Sequence, residues 1–145
     1  MDPLAGIWRL IEGHAWDEHG DPLAAPYGAH PIGQICFSNG RMLAALCNGD
    51  TDVAGDGKRA YMSYGGPYTF DGTTLEVRVD IASDPSRIGG TQTRGVVMTG
   101  DRMVLRPPIR PYAGVVQRRE LSWQRIWHPG RNDADAQDTV SYAVR

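Results

Sequence analysis

Hydrophobic and polar residues alternate along most of this chain in short runs, and turn residues interrupt them before any run reaches the length of an amphipathic helix. In residues 6–12, Ile7, Arg9 and Ile11 alternate against Trp8, Leu10 and Glu12, a strand with mixed faces. Residues 31–37 and 41–47 read as two strands joined through Ser38-Asn39-Gly40, whose Asn-Gly pair favours a tight hairpin turn. Residues 67–70 and 73–82 form the next hairpin across Asp71-Gly72, a second type I′ signature. Residues 91–99 and 102–106 pair across Gly100-Asp101, and a Pro-rich bend over residues 107–114 leads into a final long strand, residues 116–127. Residues 58–64 read as one or two helical turns, with Tyr61 and Tyr64 on one side at i, i+3 spacing. The count is about eight strands in up-and-down order, the number at which a closed barrel encloses one small ligand. The pattern predicts an all-β, up-and-down barrel with a central cavity and a short helical turn.

Two segments stand apart from the alternation. Residues 14–31 are rich in Gly, Pro and Ala and carry Trp16, Tyr27 and His30. A loop of that length in a compact domain is usually a lid or a binding segment, so it is expected to fold over the open end. Pro129 ends the barrel pattern and sets the barrel at residues 1–128. Residues 129–145 form a polar extension ending in a strand-like run, flexible or adding itself to a sheet edge. Added to a second copy, that run offers a route to a homodimer.

Gly6-Ile7-Trp8 near the start and Arg125 near the end both lie on strands. In a barrel the first and last strands become neighbours, and the guanidinium can lie flat over the indole. The segment Tyr64-Gly65-Gly66-Pro67-Tyr68-Thr69-Phe70-Asp71 is similar to the YxGxYTVD segment of the bacterial and fungal lipocalin-like domain family. Gly89-Gly90-Thr91-Gln92-Thr93-Arg94 and Thr99-Gly100-Asp101-Arg102-Met103-Val104-Leu105-Arg106-Pro107 carry the resemblance further. Tyr27-Gly28, Pro31-Ile32-Gly33-Gln34-Ile35 and Ser38-Asn39-Gly40-Arg41-Met42 resemble its PxGxLxYxxDGxM hairpin. The likeness runs in matching order from about Leu4 to Ile126. It implies a lipocalin-like (calycin) barrel holding a small molecule. One departure matters: where many members carry a His-His pair, this chain has Val77-Arg78, so chemistry resting on those histidines does not carry over.

The chain has 145 residues, enough for one domain with a real core. A formal net charge of −2 and a pI near 6.0 give no electrostatic footprint for nucleic acid or an anionic membrane. No apolar run approaches membrane length, and residues 1–3 show no basic or apolar leader pattern, so the expected address is cytoplasmic. Cys36 and Cys47 flank the first hairpin, and in that compartment both are expected to stay reduced.

The candidate chemistry is sparse. Leu75, Val77, Val79 and Ile81 share one parity, and Glu76, Arg78 and Asp80 the other; the sequence leaves open which parity faces inward. With the following turn centred near Arg87, Asp80 falls opposite Arg94, with Arg78 and Gln92 nearby. Both Asp80 and Arg94 are then expected on the cavity wall, the carboxyl held ionised by the guanidinium. The histidines, His14, His19, His30 and His128, show no metal-ligand spacing, so no metal is expected. His30 sits nearest the predicted barrel mouth and is the preferred general base. The catalytic candidates are thus His30, Asp80 and Arg94. Trp16, Tyr27, Tyr61, Tyr64, Tyr68, Arg78, Gln92 and Tyr112 are candidate ligand contacts. No nucleotide or cofactor fingerprint occurs, so no cofactor is expected. The resemblance implies a small, partly apolar ligand with a carbonyl or aromatic portion. By analogy with tailoring enzymes on such barrels, it also implies cofactor-free isomerisation, cyclisation or elimination; the alternative is a carrier without turnover.

Overall fold

The computed structural model describes residues 2–52 and 57–131. Asn39 and Gly40 both take positive φ, 52° and 76°, and close a two-residue turn between β3 (Pro31–Ser38) and β4 (Arg41–Asn48). That hairpin continues into β5 (Tyr61–Phe70) and β6 (Thr74–Arg78), then β8 (Thr91–Thr99), β9 (Arg102–Arg106) and β11 (Val115–Trp127). Strand β1 (Gly6–Trp16) pairs with β3 on one side and β11 on the other, which closes the sheet. The result is an antiparallel eight-stranded barrel. Three short strands flank it: β2 (Pro22–Leu23), β7 (Ile81–Ala82) and β10 (Arg110–Tyr112). The all-β, lipocalin-like, up-and-down reading holds.

The interior is one continuous core. Trp8, Leu10, Ile35, Phe37, Met42, Leu75, Val77, Met103, Leu105 and Trp123 are all buried there, drawn from strands all round the barrel. On β6 the aliphatic parity faces in while Glu76 and Arg78 face solvent. On β8 the even positions face in, so Leu75 opposes Arg94 and Val77 opposes Gln92.

The closed end is built around Trp8, which is fully buried and donates from Nε1 to the Leu4 carbonyl at 2.9 Å. Arg125 lies over its ring, 4.4 Å from the centroid, and donates to the Ala5 carbonyl at 2.9 Å. Asp101 completes the arrangement, 3.1 Å from Arg125 and 2.7 Å from His128. Burial pulls the Arg125 pKa down and Asp101 opposes that shift. The residue two before Trp8 is glycine because a Cβ on Gly6 would run into the Trp127 carbonyl. The expected Trp8–Arg125 packing is therefore what closes the barrel.

Three local expectations are corrected. Residues 58–64 do not form helical turns: Tyr61 begins β5, where Tyr64 opposes Ala44 on β4. A helix there would leave the β4 edge unpaired and the barrel open. Among the described residues the single helical element is instead a 3-10 turn at Pro85–Arg87, capped by Asp84, whose carboxylate accepts from the Ser86 N–H. The Asp71-Gly72 turn is not type I′, since only Gly72 has positive φ; Asp71 accepts from the Thr73 and Thr74 N–H groups instead. Finally, residues 14–16 are not loop. They continue β1 opposite Arg118–Glu120 of β11, after a bulge between Leu10 and Glu12 that inverts the alternation. The notion of a strand-adding, dimer-forming tail falls on residues 132–145, outside the described residues.

Candidate functional site

The alternation that turns Arg125 inward also turns Trp123, Leu121 and Arg119 inward along β11. Arg125 seals the closed end; the other three line a cavity of about 90 Å³ in the opposite half of the barrel. Ile35 of β3, Ala44 and Leu46 of β4 and Leu105 of β9 form its apolar wall. Met62 and Tyr64 come from β5 and Arg94 from β8. Pro26 and Tyr27 reach it from the loop after β2, Arg87 from the 3-10 turn, and Arg110 and Tyr112 from β10. Pro26, Tyr27, Met62, Arg87 and Arg119 also border a wider, more open basin of about 830 Å³, so they stand between interior and exterior. The inner cavity has room for several waters or one small organic group, because a single water needs about 10–15 Å³ of such space.

The polar groups are unevenly distributed. Four arginines line the cavity, and among the described residues no carboxylate does. Arg94 is 9% exposed, and among the described residues it donates only to neutral oxygens, the Thr93 carbonyl at 2.8 Å and Gln92 Oε1 at 2.9 Å. Arg87 stacks over Tyr64 at 5.0 Å, while Arg110 and Arg119 share the Tyr112 ring at 4.7 and 3.6 Å. Burial lowers the Arg119 pKa, and neighbouring Arg110 lowers it further. The Tyr27 pKa is raised, chiefly by burial; its hydroxyl lies 3.9 Å from the Met62 sulfur as donor. Trp123 is 1% exposed, and its indole N–H has no hydrogen-bond partner among the described residues.

The structure thus brings Tyr27, Tyr64, Arg94 and Tyr112 together on the cavity wall, with Gln92 behind Arg94 as its acceptor. Tyr61 faces the outer basin and is 61% exposed. The remaining candidates lie elsewhere. Asp80 does not oppose Arg94: after β6 the chain leaves the ladder, and Asp80 forms a two-pronged pair with Arg41 on the outer surface at 2.7 and 2.8 Å. Its carboxyl is held below the usual range, as expected, but by the hydrogen bond from Arg41. His30 is exposed on the outside, with its ring 3.1 Å from Asp50. Trp16 stacks with His14 at 5.7 Å and beneath Arg118 at 4.3 Å, away from the cavity. Tyr68 packs edge-on to Phe37 at the closed end and donates to Asp2. Arg78 faces solvent on β6. Of the segment expected to fold over the open end, Pro26 and Tyr27 line the cavity, whereas Trp16 and His30 do not.

Sequence reasoning missed Trp123, Arg119, Arg87 and Arg110. A signal for the first two was present, since Arg119, Leu121, Trp123 and Arg125 share one parity and Arg125 was expected to face inward. Arg87 lies on a 3-10 turn, and Arg110 lies on the three-residue strand β10 inside a segment that the sequence reads as a Pro-rich bend, so neither offered a parity to follow.

A closed antiparallel barrel of eight strands with its cavity toward one end is a lipocalin-like barrel. Residues 5–126 match the sequence model of the lipocalin-like domain, and the chain belongs to that family. The chain is also similar to a solved structure, an uncharacterized protein from Bacteroides eggerthii DSM 20697, at 14% identity and a TM-score of 0.44, over 83% of this chain and 98% of that one. No curated protein matches. Among the described residues no helix is long and apolar enough to cross a membrane, and no cluster of His, Cys, Asp or Glu has the makings of a metal site.

Proposed function

We propose that this protein binds a small, partly apolar organic molecule, bearing a carbonyl or aromatic portion, inside its barrel. The observation that carries this reading is the cavity wall itself: an apolar shell from β3, β4 and β9 faced by Arg94, Tyr27 and Tyr64. Such a mixture, mostly apolar with a few convergent polar groups, is what small-molecule sites are made of. The inner space admits a small group, and the remainder of a larger ligand would extend past Tyr27 and Arg119 into the basin.

Binding without turnover is the reading this geometry favours over cofactor-free isomerisation, cyclisation or elimination. Those reactions need a base within hydrogen-bond reach of the substrate, and His30 and Asp80 face away from the cavity. Arg94 remains as a group to polarise or orient a carbonyl. Native mass spectrometry of freshly purified protein, followed by Ala44→Leu, tests the reading. A bound small molecule that the larger side chain displaces is the expected result. A parent protein that carries nothing, and whose tryptophan fluorescence responds to no member of a panel of small aromatic and carbonyl compounds, would overturn it.

A further inference from the structure

We infer that the occupant of this cavity is an anion, specifically a small organic carboxylate, gripped by Arg94 and the Trp123 indole N–H and admitted past Arg119. This deepens the small-molecule reading and rests on it. Arg87, Arg94, Arg110 and Arg119 line the cavity; no described Asp or Glu does, and none of the four takes part in an ion pair among the described residues. Arg94 is the deepest case, since a guanidinium has five N–H donors and its contacts here are a carbonyl and an amide oxygen, both neutral. A buried charge without a counter-charge is costly, and an entering anion would offset that cost.

A second observation is independent of the arginines. Trp123 lines the same cavity from β11, is almost wholly buried, and has an indole N–H without a partner among the described residues. Buried tryptophan N–H groups are normally satisfied, as that of Trp8 is by the Leu4 carbonyl at 2.9 Å. An N–H group can only donate, so the ligand group that complements Trp123 is an acceptor. A carboxylate is acceptor-only and takes hydrogen bonds at both oxygens, and its planar shape suits a guanidinium fork.

The rim repeats the charge. Arg110 and Arg119 both lie against the Tyr112 ring, a placement that brings two like charges near each other and that a neighbouring anion would relieve. Lying over tyrosine holds each guanidinium in place; the Arg119 Nε–H is taken by Gln117 Oε1 at 3.2 Å, and its terminal N–H groups are left for a ligand. The apolar wall of Ile35, Ala44, Leu46 and Leu105 suits the acid's hydrocarbon portion.

The test uses matched pairs that differ only in charge: benzoate against benzamide, phenylacetate against phenylacetamide, and hexanoate against hexanamide. Binding to the whole protein at neutral pH is followed by calorimetry and by the Trp123 indole ¹H–¹⁵N resonance, assigned with Trp123→Phe. The expected result is that at least one acid binds about tenfold or more tightly than its amide. It should also shift the Trp123 resonance, and Arg94→Met and Arg119→Met should each erode the preference. Amides that bind as tightly as their acids would overturn the carboxylate inference while leaving the small-molecule reading standing. Failure of both acids and amides, with no co-purified molecule in the native mass spectrum, would sink both. Should Arg94→Met not fold, the parent protein's acid-to-amide ratio and the partly exposed Arg119 variant still decide the matter.

Discussion

Arg94 and Arg125 are both nearly inaccessible arginines on the inner wall of one barrel, and their surroundings differ in a way that separates structure from binding. Arg125 has an aromatic face, a backbone carbonyl and the Asp101 carboxylate, whereas among the described residues Arg94 has neutral oxygens alone. Removing Trp8 takes away the largest piece of the closed end, and Trp8→Ala is expected to cost about 3–5 kcal/mol in urea unfolding. Tyr68 belongs to the same end. Burial, and then its hydrogen bond to Asp2, raises the pKa of its hydroxyl above the ordinary value of 10.0. The folded state thus keeps a proton that the unfolded state releases, so this contribution is intact below pH 10 and is lost as pH climbs toward the folded pKa. Stability should fall above about pH 10, and Tyr68→Phe should flatten that alkaline limb. His30 reports on the opposite situation. It sits outside with Asp50, so His30→Ala is expected to leave the affinity for any cavity ligand within about twofold by calorimetry.

At the scale of elements, the glycines and bulges set how strands pass one another. A Cβ on Gly65 would meet the Met42 carbonyl at 2.5 Å, and one on Gly66 would collide with the Arg78 carbonyl. That close passage lets β5 bridge from β4 to both β6 and β7. Gly66→Ala is expected to destabilise by about 1–3 kcal/mol, because backbone cannot yield as a flexible side chain can. Gly95 on β8 has its nearest neighbour, Arg106 Cβ, at 3.7 Å, so Gly95→Ala should lie within about 0.5 kcal/mol of the parent in the same assay. The Gly-Gly-Pro segment also shows why the helical reading of residues 58–64 failed. Two tyrosines at i, i+3 fit a helix as local spacing, but seven residues are too few for periodicity to outweigh the β4 edge that needed a partner. The bulge in β1 misled in a similar way. Trp8 and Leu10 face in, then Gly13 and Ala15 face in, and a reader following strict alternation loses the strand between them.

For the whole molecule, one continuous core joins a sealed half, built around Trp8 and Arg125, to a hollow half that holds the cavity. One strand, β11, serves both: Arg125 stacks on Trp8, and Trp123, Leu121 and Arg119 line the cavity. Stability and binding should therefore respond to different substitutions. Ala44→Leu adds volume to the hollow half, so ligand binding should be lost while the unfolding midpoint changes little, as read by calorimetry and urea titration side by side. A large loss of stability would mean that the space is needed by the fold itself. Much of this architecture was already written in local signals. Asn39-Gly40 and Gly100-Asp101 specify turns through backbone sterics; the parity of Leu75, Val77 and Val79 specifies a strand face; and the spacing from Trp8 to Arg125 specifies closure once the strands are counted. Such signals act within a few residues, so the sequence alone determined an all-β barrel closed by its first and last strands. Which charges enter the interior depended on register between strands far apart in the chain. Asp80 and Arg94 looked like partners along the sequence, yet the ladder set Leu75 against Arg94 and left Asp80 to Arg41 outside. An arginine-lined cavity, with an indole N–H that has no partner among the described residues, was decided only when β8, β10 and β11 converged, because electrostatic environment is a property of neighbours in space and not of neighbours in sequence.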